Sequence, residues 1–160
     1  MDEKLLSIIS ADAHVSKEDI ARQLQTTVEV VSERIATLEK EGIILGYQAI
    51  LDEERANSKN VTAIIEVRIT PERGGGFDRL AARISQYDQV QSCYLMSGGY
   101  DLAVVVEGSD LRDIAMFIAE KLATVEGVLS TATSFRLKTY KANGILARIE
   151  APHGRLSVAP

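Results

Sequence analysis

The sequence predicts an α+β protein in two parts, a small helical N-terminal part and a larger part that mixes strands with helices. Three observations predict it. Apolar residues up to about position 42 recur at spacings of three and four, the helical period. A polar, unpatterned stretch then occupies residues 51–60. From residue 61 onward, strand-period and helix-period segments follow one another in the order β-α-β-β-α-β.

In the first part, Leu5, Leu6, Ile8 and Ile9 give one short helix face, which Ala11-Asp12-Ala13 breaks. Ser16, three residues before Asp19, predicts the start of a second helix with Ile20, Ala21 and Leu24 as its apolar stripe. Gln25-Thr26-Thr27 is a tight polar connection, and Thr27 caps a third helix along which Val28, Val31, Ile35 and Leu38 recur. Gly42 ends that helix as a left-handed cap. Residues 43–50 have strand composition, with Gly46 placed to turn a short wing. Three short helices with a three-residue turn before the third make a winged helix-turn-helix over residues 1–50. In that motif the third helix enters a DNA major groove, but small three-helix units also occur widely as interaction modules.

Residues 51–60 form the predicted linker. In the second part, residues 61–141, Ala63, Ile65, Val67 and Ile69 alternate with Glu66 and Arg68 as a strand. A turn-rich loop, Pro71 to Gly76, leads to a helix bearing Phe77, Leu80, Ala81 and Ile84. Val90 to Met96 reads as a strand, Gly98-Gly99-Tyr100-Asp101 as a turn, and Leu102 to Val106 as a third strand. Leu111, Ile114, Ala115, Ile118 and Leu122 mark a second helix, and Val128 to Tyr140 a long closing strand. This is the ferredoxin-like split βαβ order, a four-stranded sheet with helices on one face. The bare face calls for burial, which predicts a homo-oligomer formed through the sheet. In the tail, residues 142–160, Asn143-Gly144-Ile145-Leu146 can add a short strand or fray, and Arg155 to Pro160 can dock on a neighbour.

The totals set limits. Of 160 residues, 46% are apolar and 26% charged, ordinary globular values that argue against disorder. No apolar run is long enough to span a bilayer, and Met1-Asp2-Glu3-Lys4 does not open a secretory signal. The single Cys93 has no intramolecular disulfide partner, and His14 and His153 lie far apart with no metal-ligand spacing around them. A cytoplasmic protein without membrane, metal or cofactor is the expectation. The net charge of −5 gives no electrostatic footprint for nucleic acid, and residues 1–50 hold nine acids against five bases. Phosphate contacts must therefore come from a few local cations.

Two stretches carry a resemblance. Asp19-Ile20-Ala21-Arg22-Gln23-Leu24 resembles the second reader helix of Lrp/AsnC proteins, and Val31 to Ile44, with Arg34-Ile35, Leu38-Glu39 and Gly42-Ile43-Ile44, resembles their recognition helix and the start of the wing. The departures are Thr26-Thr27 where the family often has Leu-Ser, and Glu29 and Glu33 where relatives often carry Ser, Thr or Arg. A carboxylate accepts from cytosine N4 but repels phosphate. The resemblance implies a DNA contact set of Thr27, Ser32, Arg34 and Lys40, with Arg22 on the backbone. For Arg34 a salt bridge to a nearby acid is the alternative.

Tyr94 to Val106, with Gly98-Gly99-Tyr100-Asp101, is similar to the hairpin of the same family's regulatory (RAM-type) domain, and Val128 to Phe135 to its closing strand. The resemblance spans residues 1–141 and implies an effector amino acid bound between subunits near the hairpin. The residue chemistry suits one. Asp101 offers an anion for the ammonium, the main-chain amides of Gly98 and Gly99 donors for the carboxylate, Thr131, Thr133 and Ser134 hydroxyls, and Tyr100 a pocket wall. Equally, Gly-Gly is a good turn by itself and Asp101 can simply cap it. The implied partners are double-stranded DNA, a small effector and further copies of the chain, as a dimer extending to a tetramer or octamer. One alternative is an effector-binding or assembly module with weak DNA affinity. Another is an enzyme, because sirohaem decarboxylases resemble the two-domain plan, although the sequence shows no nucleophile–base pair.

Overall fold

The computed structural model describes residues 1–56, 58–70 and 76–148. The chain divides into two compact units, residues 1–49 and 50–160.

The first unit holds α1 (Asp2–Ala11), α2 (Lys17–Leu24) and α3 (Val28–Lys40). Leu5, Ile20, Ala21, Val31 and Leu38 are its buried core, one to two residues from each helix. Local chemistry sets the helix ends. The Ser16 hydroxyl accepts the Asp19 N–H at 3.1 Å and donates to its carboxylate at 2.7 Å, so the predicted start of α2 is a reciprocal cap. Thr27 caps α3 by accepting from the Val30 N–H. Gly42, at φ +70°, follows α3, and its N–H reaches the Glu39 carbonyl while the Ile43 N–H reaches that of Leu38. These two bonds are a Schellman closure, which needs the left-handed residue at this point. Residues 43–50 depart from expectation, because no strand ladder forms there among the described residues. Strand composition states a preference, and pairing needs a neighbouring strand that this unit does not supply.

The second unit holds β1 (Val61–Ile69), α4 (Gly76–Ile84), β2 (Val90–Leu95), β3 (Leu102–Gly108), α5 (Leu111–Phe117) and β4 (Val128–Phe135). The strands lie antiparallel in the order β2-β3-β1-β4, the predicted split βαβ sheet. Ala63, Ile65, Val67, Ile69, Leu102, Val104 and Val106 point from the sheet into a core shared with Leu80, Ile84, Ile114, Phe117 and Leu122 of the helical layer. Ile64, Glu66 and Arg68 alternate onto the opposite, open face.

β2 and β3 end within two residues of the sequence reading, and three larger departures stand beside them. β4 stops at Phe135 rather than Tyr140, because β1 runs out of partners. Ala63 pairs with Phe135, the Arg136 N–H takes the Thr62 carbonyl, and the Arg136 side chain then turns away to Glu53. The second helix, predicted as one segment, ends its α form at Phe117 and continues as a π turn, Ile118–Leu122, which brings Leu122 into the core. Residues 51–60, set aside as linker, are held to the sheet unit by Arg136 to Glu53 and by the Asn60 amide donating to the Glu107 carboxylate at 2.6 Å. In the tail, β5 (Lys141–Ala142) and β6 (Ile145–Leu146) form a small hairpin about Asn143-Gly144. The loop at 71–75, and Arg155 to Pro160 with its expected docking, lie outside the described residues.

Candidate functional site

The α3 surface is the first candidate. Its core side carries Val31, Ile35 and Leu38, and its outward stripe is Glu29, Glu33, Ala36 and Lys40, at spacings of four, three and four. The expected contact set is spread around the helix rather than gathered on that stripe. Lys40 lies on it. Ser32 lies on one flank and lines a small cleft with Ile9, Ile35, Glu39 and Tyr47. Arg34 lies on the other flank, where its guanidinium grips the Asp2 carboxylate of α1, Nε to Oδ1 at 2.7 Å and Nη2 to Oδ2. The salt bridge weighed for Arg34 is therefore the arrangement present. Arg22, in the last turn of α2, pairs with Asp19 three residues earlier at 2.6 Å while staying exposed. Thr27 stays exposed at the α3 start, with its hydroxyl used in the cap.

The ion pairs shift the carboxyls in one direction. Hydrogen bonding from Arg34 holds Asp2 below the ordinary value of 3.8, and Ser16 and Arg22 do the same for Asp19. Glu29 is lowered by its own backbone N–H and by the Thr27 hydroxyl, so it is fixed as an anion at the head of α3. Sequence reasoning missed two features here. The Tyr47 hydroxyl donates to Glu39 at 2.9 Å, tying the chain after α3 back to the helix. Asp2 as the partner of Arg34 has no local signal, because 32 residues separate them.

The second candidate is the β2–β3 turn. Asp101 is built into the sheet end. Its Oδ2 accepts the Ile69 N–H at 2.8 Å, its own N–H donates to the Val67 carbonyl at 3.0 Å, and its carbonyl accepts from Met96 at 2.8 Å. Among the described residues Oδ1 accepts nothing. Gly98 and Gly99 are open in a specific sense. Neither has a positive φ, and a Cβ placed on either would meet no atom within 4 Å. The backbone does not require glycine at either position.

The β4 hydroxyls separate. Residues paired across an antiparallel ladder share a face. Thr131 pairs with Val67 and Thr133 with Ile65, on the helix-covered side, whereas Ser134 pairs with Ile64 on the open side. Thr131 stands level with Val67, whose carbonyl holds Asp101, at the turn end of the sheet. Thr133 and Ser134 are progressively farther along. The structure thus places Gly98, Gly99, Tyr100 and Asp101 at one end of the sheet, with Thr131 level with them but across β1 on β4, and the other two farther along.

A family model described as the Lrp/AsnC ligand binding domain matches residues 62–146, and one described as winged helix-turn-helix DNA-binding matches residues 1–44. The chain belongs to the Lrp/AsnC family. It is a DNA-binding transcriptional regulator with a ligand-binding domain. It is 40% identical, over 98% of its length and 95% of the relative's, to the uncharacterized HTH-type transcriptional regulator YugG of Bacillus subtilis (strain 168). Among solved structures it resembles MtbAldR with a TM-score of 0.76 at 20% identity, covering 94% of this chain and 97% of that one. It also resembles the feast or famine regulatory protein of M. tuberculosis complexed with L-methionine, with a TM-score of 0.69 at 23% identity and coverage of 88% and 92%. At these identities the two structures speak for the Lrp/AsnC fold. Among the described residues no helix is long and apolar enough to cross a membrane, and no group of His, Cys, Asp and Glu could hold a metal ion.

Proposed function

We propose that this regulator answers to a small α-amino acid held at the β2–β3 turn, and that the bound molecule shifts how copies of the chain assemble and so how their α3 helices meet DNA. The observation that carries it is the open backbone at Gly98 and Gly99 beside a carboxylate one oxygen of which accepts nothing among the described residues. The ammonium of the effector bonds to Asp101 Oδ1, its carboxylate to the amides of residues 98 and 99 with help from the Thr131 hydroxyl, and its side chain lies against Tyr100. The L-methionine complex of the structural relative supports an amino acid as the class of effector. Copies associate through the open sheet face, and paired readers contact two half-sites about a helical turn or a multiple of it apart. An effector that binds one assembly state better than another shifts their balance by that difference in affinity.

A thermal-shift screen of the twenty amino acids tests the effector. A ligand of the native state raises the melting temperature by mass action. At least one amino acid is expected to do so saturably, and the shift is expected to vanish in Asp101→Asn, which keeps an acceptor for the Ile69 N–H but loses the charge. A shift of equal size in that variant places the site elsewhere.

A second reading is favoured by one observation. Arg22 and Arg34 are both engaged with carboxylates, and the outward stripe of α3 carries Glu29 and Glu33 against Lys40. On this reading the chain is chiefly an effector-driven assembly module, and DNA is held only by several weak readers at once. A retardation assay at low salt against competitor DNA separates the two. Selective retention by isolated dimers supports the first, and retention only by larger assemblies supports the second.

A further inference from the structure

The sheet unit has a cleft far from the β2–β3 turn in its lining, between residues 50–55, the stretch after β4 and the β5–β6 hairpin. Its volume is about 500 Å³, inside the range of roughly 300–1,000 Å³ typical of small-ligand sites. None of residues 98–101 or 131–134 lines it. Both walls are fixed by hydrogen bonds. On one side Arg136 Nη2 donates to both Glu53 oxygens and, at 2.7 Å, to the Thr62 hydroxyl, which clamps residues 52–55 beside the sheet. On the other, Asn143 and Gly144 take positive φ values of 45° and 87°, the primed turn that closes a two-residue hairpin, and the Ala147 N–H returns to the Tyr140 carbonyl at 3.0 Å. A concavity held in this way exists before a ligand arrives.

The lining has two characters. Leu51, Leu137 and Leu146 line it while 66%, 93% and 74% exposed, an uncovered aliphatic surface. Arg136 is neutralised by Glu53, but Arg55, Lys138 and Arg148, also in the lining, have no carboxylate partner among the described residues. Facing them are Asp52, whose Oδ1 already accepts the Arg55 N–H, and Glu54. In a chain of net charge −5 this is a local excess of cation beside apolar surface.

We propose that this cleft is a second ligand site, for a small amphipathic carboxylate whose aliphatic chain lies on Leu51, Leu137 and Leu146 and whose head is held by Arg55, Lys138 and Arg148. The site is independent of the amino-acid reading at the turn.

Titration calorimetry of the full chain with sodium octanoate tests it, with acetate, 1-octanol and octylammonium as the head-only, uncharged and oppositely charged controls. Octanoate is expected to bind saturably and the three controls not to bind at the same concentrations. Leu137→Ser and Arg148→Gln, both at exposed positions, are each expected to weaken octanoate about tenfold, the loss of one apolar contact or one charged partner. Asp101→Asn is expected to leave octanoate binding unchanged, so failure at the turn and failure here are read separately. Equal binding of octylammonium, or wild-type affinity in both variants, overturns the proposal. So does a change in sedimenting mass on Leu137→Ser, which would assign the cleft to a second copy of the chain.

Discussion

Gln25 and Asp2 show how much of this small reader unit depends on single backbone and side-chain choices. Gln25 closes α2 at φ 53°, with the Thr26 N–H on the Ala21 carbonyl and its own on Arg22. A residue with a Cβ costs about 1–2 kcal/mol in that region, whereas glycine enters it freely and gives back part of the gain as chain entropy. Gln25→Gly is therefore expected to stabilise the protein by about 0.5 kcal/mol, seen as a higher urea midpoint at unchanged slope. A lower midpoint would mean that the glutamine side chain contributes more than its conformation costs. Asp2 makes a prediction about acid. Its folded-state value is depressed, chiefly by the Arg34 hydrogen bond, so its stabilisation is complete above the ordinary value of 3.8 and is lost as pH falls through the depressed one. Asp19 and Glu29 act in the same direction. Asp2→Asn should then lose less stability than the parent between about pH 5 and about pH 3, measured by denaturant titration at each pH. The caps at Ser16 and Thr27 and the left-handed Gly42 were legible in the sequence because each is a local signal. The Arg34 partner was not, since only the packing of α1 on α3 brings Asp2 within reach.

At the scale of elements, helix α3 concentrates the functional question. Its core side was legible from the spacing of Val31, Ile35 and Leu38, but which flank each polar residue would take was not. Ser32 falls beside the Tyr47 segment and Arg34 beside α1, so only Lys40 of the expected α3 interior set shares the stripe of Glu29 and Glu33. With α3 in the groove, as proposed, those exposed carboxylates would stand near phosphate. The double substitution Glu29→Gln, Glu33→Gln is expected to tighten DNA binding severalfold at low salt, with the gain shrinking as salt screens the repulsion. Fluorescence anisotropy on a labelled duplex across a salt series reads both. An unchanged affinity would mean that another face of the reader meets the DNA. The strand and helix order of the second unit was readable throughout, because periods of two and 3.6 are distinct over six or more residues. The π turn after Phe117 and the early stop of β4 were not, since both follow from what the neighbouring elements leave unfilled.

For the whole molecule, the sheet is the feature that points beyond one chain. Helices cover one side of it, and the other presents Ile64, Glu66 and Arg68 of β1 beside Val105 of β3 and Tyr94 of β2. That asymmetry was legible once four strands and two helices had been counted, because two helices cannot cover both faces. The apolar residues there favour contact with a second such face, and the flanking charges restrict its register. Ile64→Glu is expected to shift the protein toward smaller species in sedimentation velocity while its circular dichroism stays that of the parent, since Ile64 makes no part of the core. Persistence of the parent mass would move the assembly surface off the sheet.

The open backbone at positions 98 and 99 carries a lesson for how such a protein could change over generations. Neither backbone angle nor space demands glycine at these positions, so on the proposed reading a side chain appearing there would be judged chiefly by the effector. On the proposed reading, drift at those two sites would retune which molecule is sensed at little cost to the scaffold, and a library randomised at them is expected to return mostly folded proteins with altered ligand preferences.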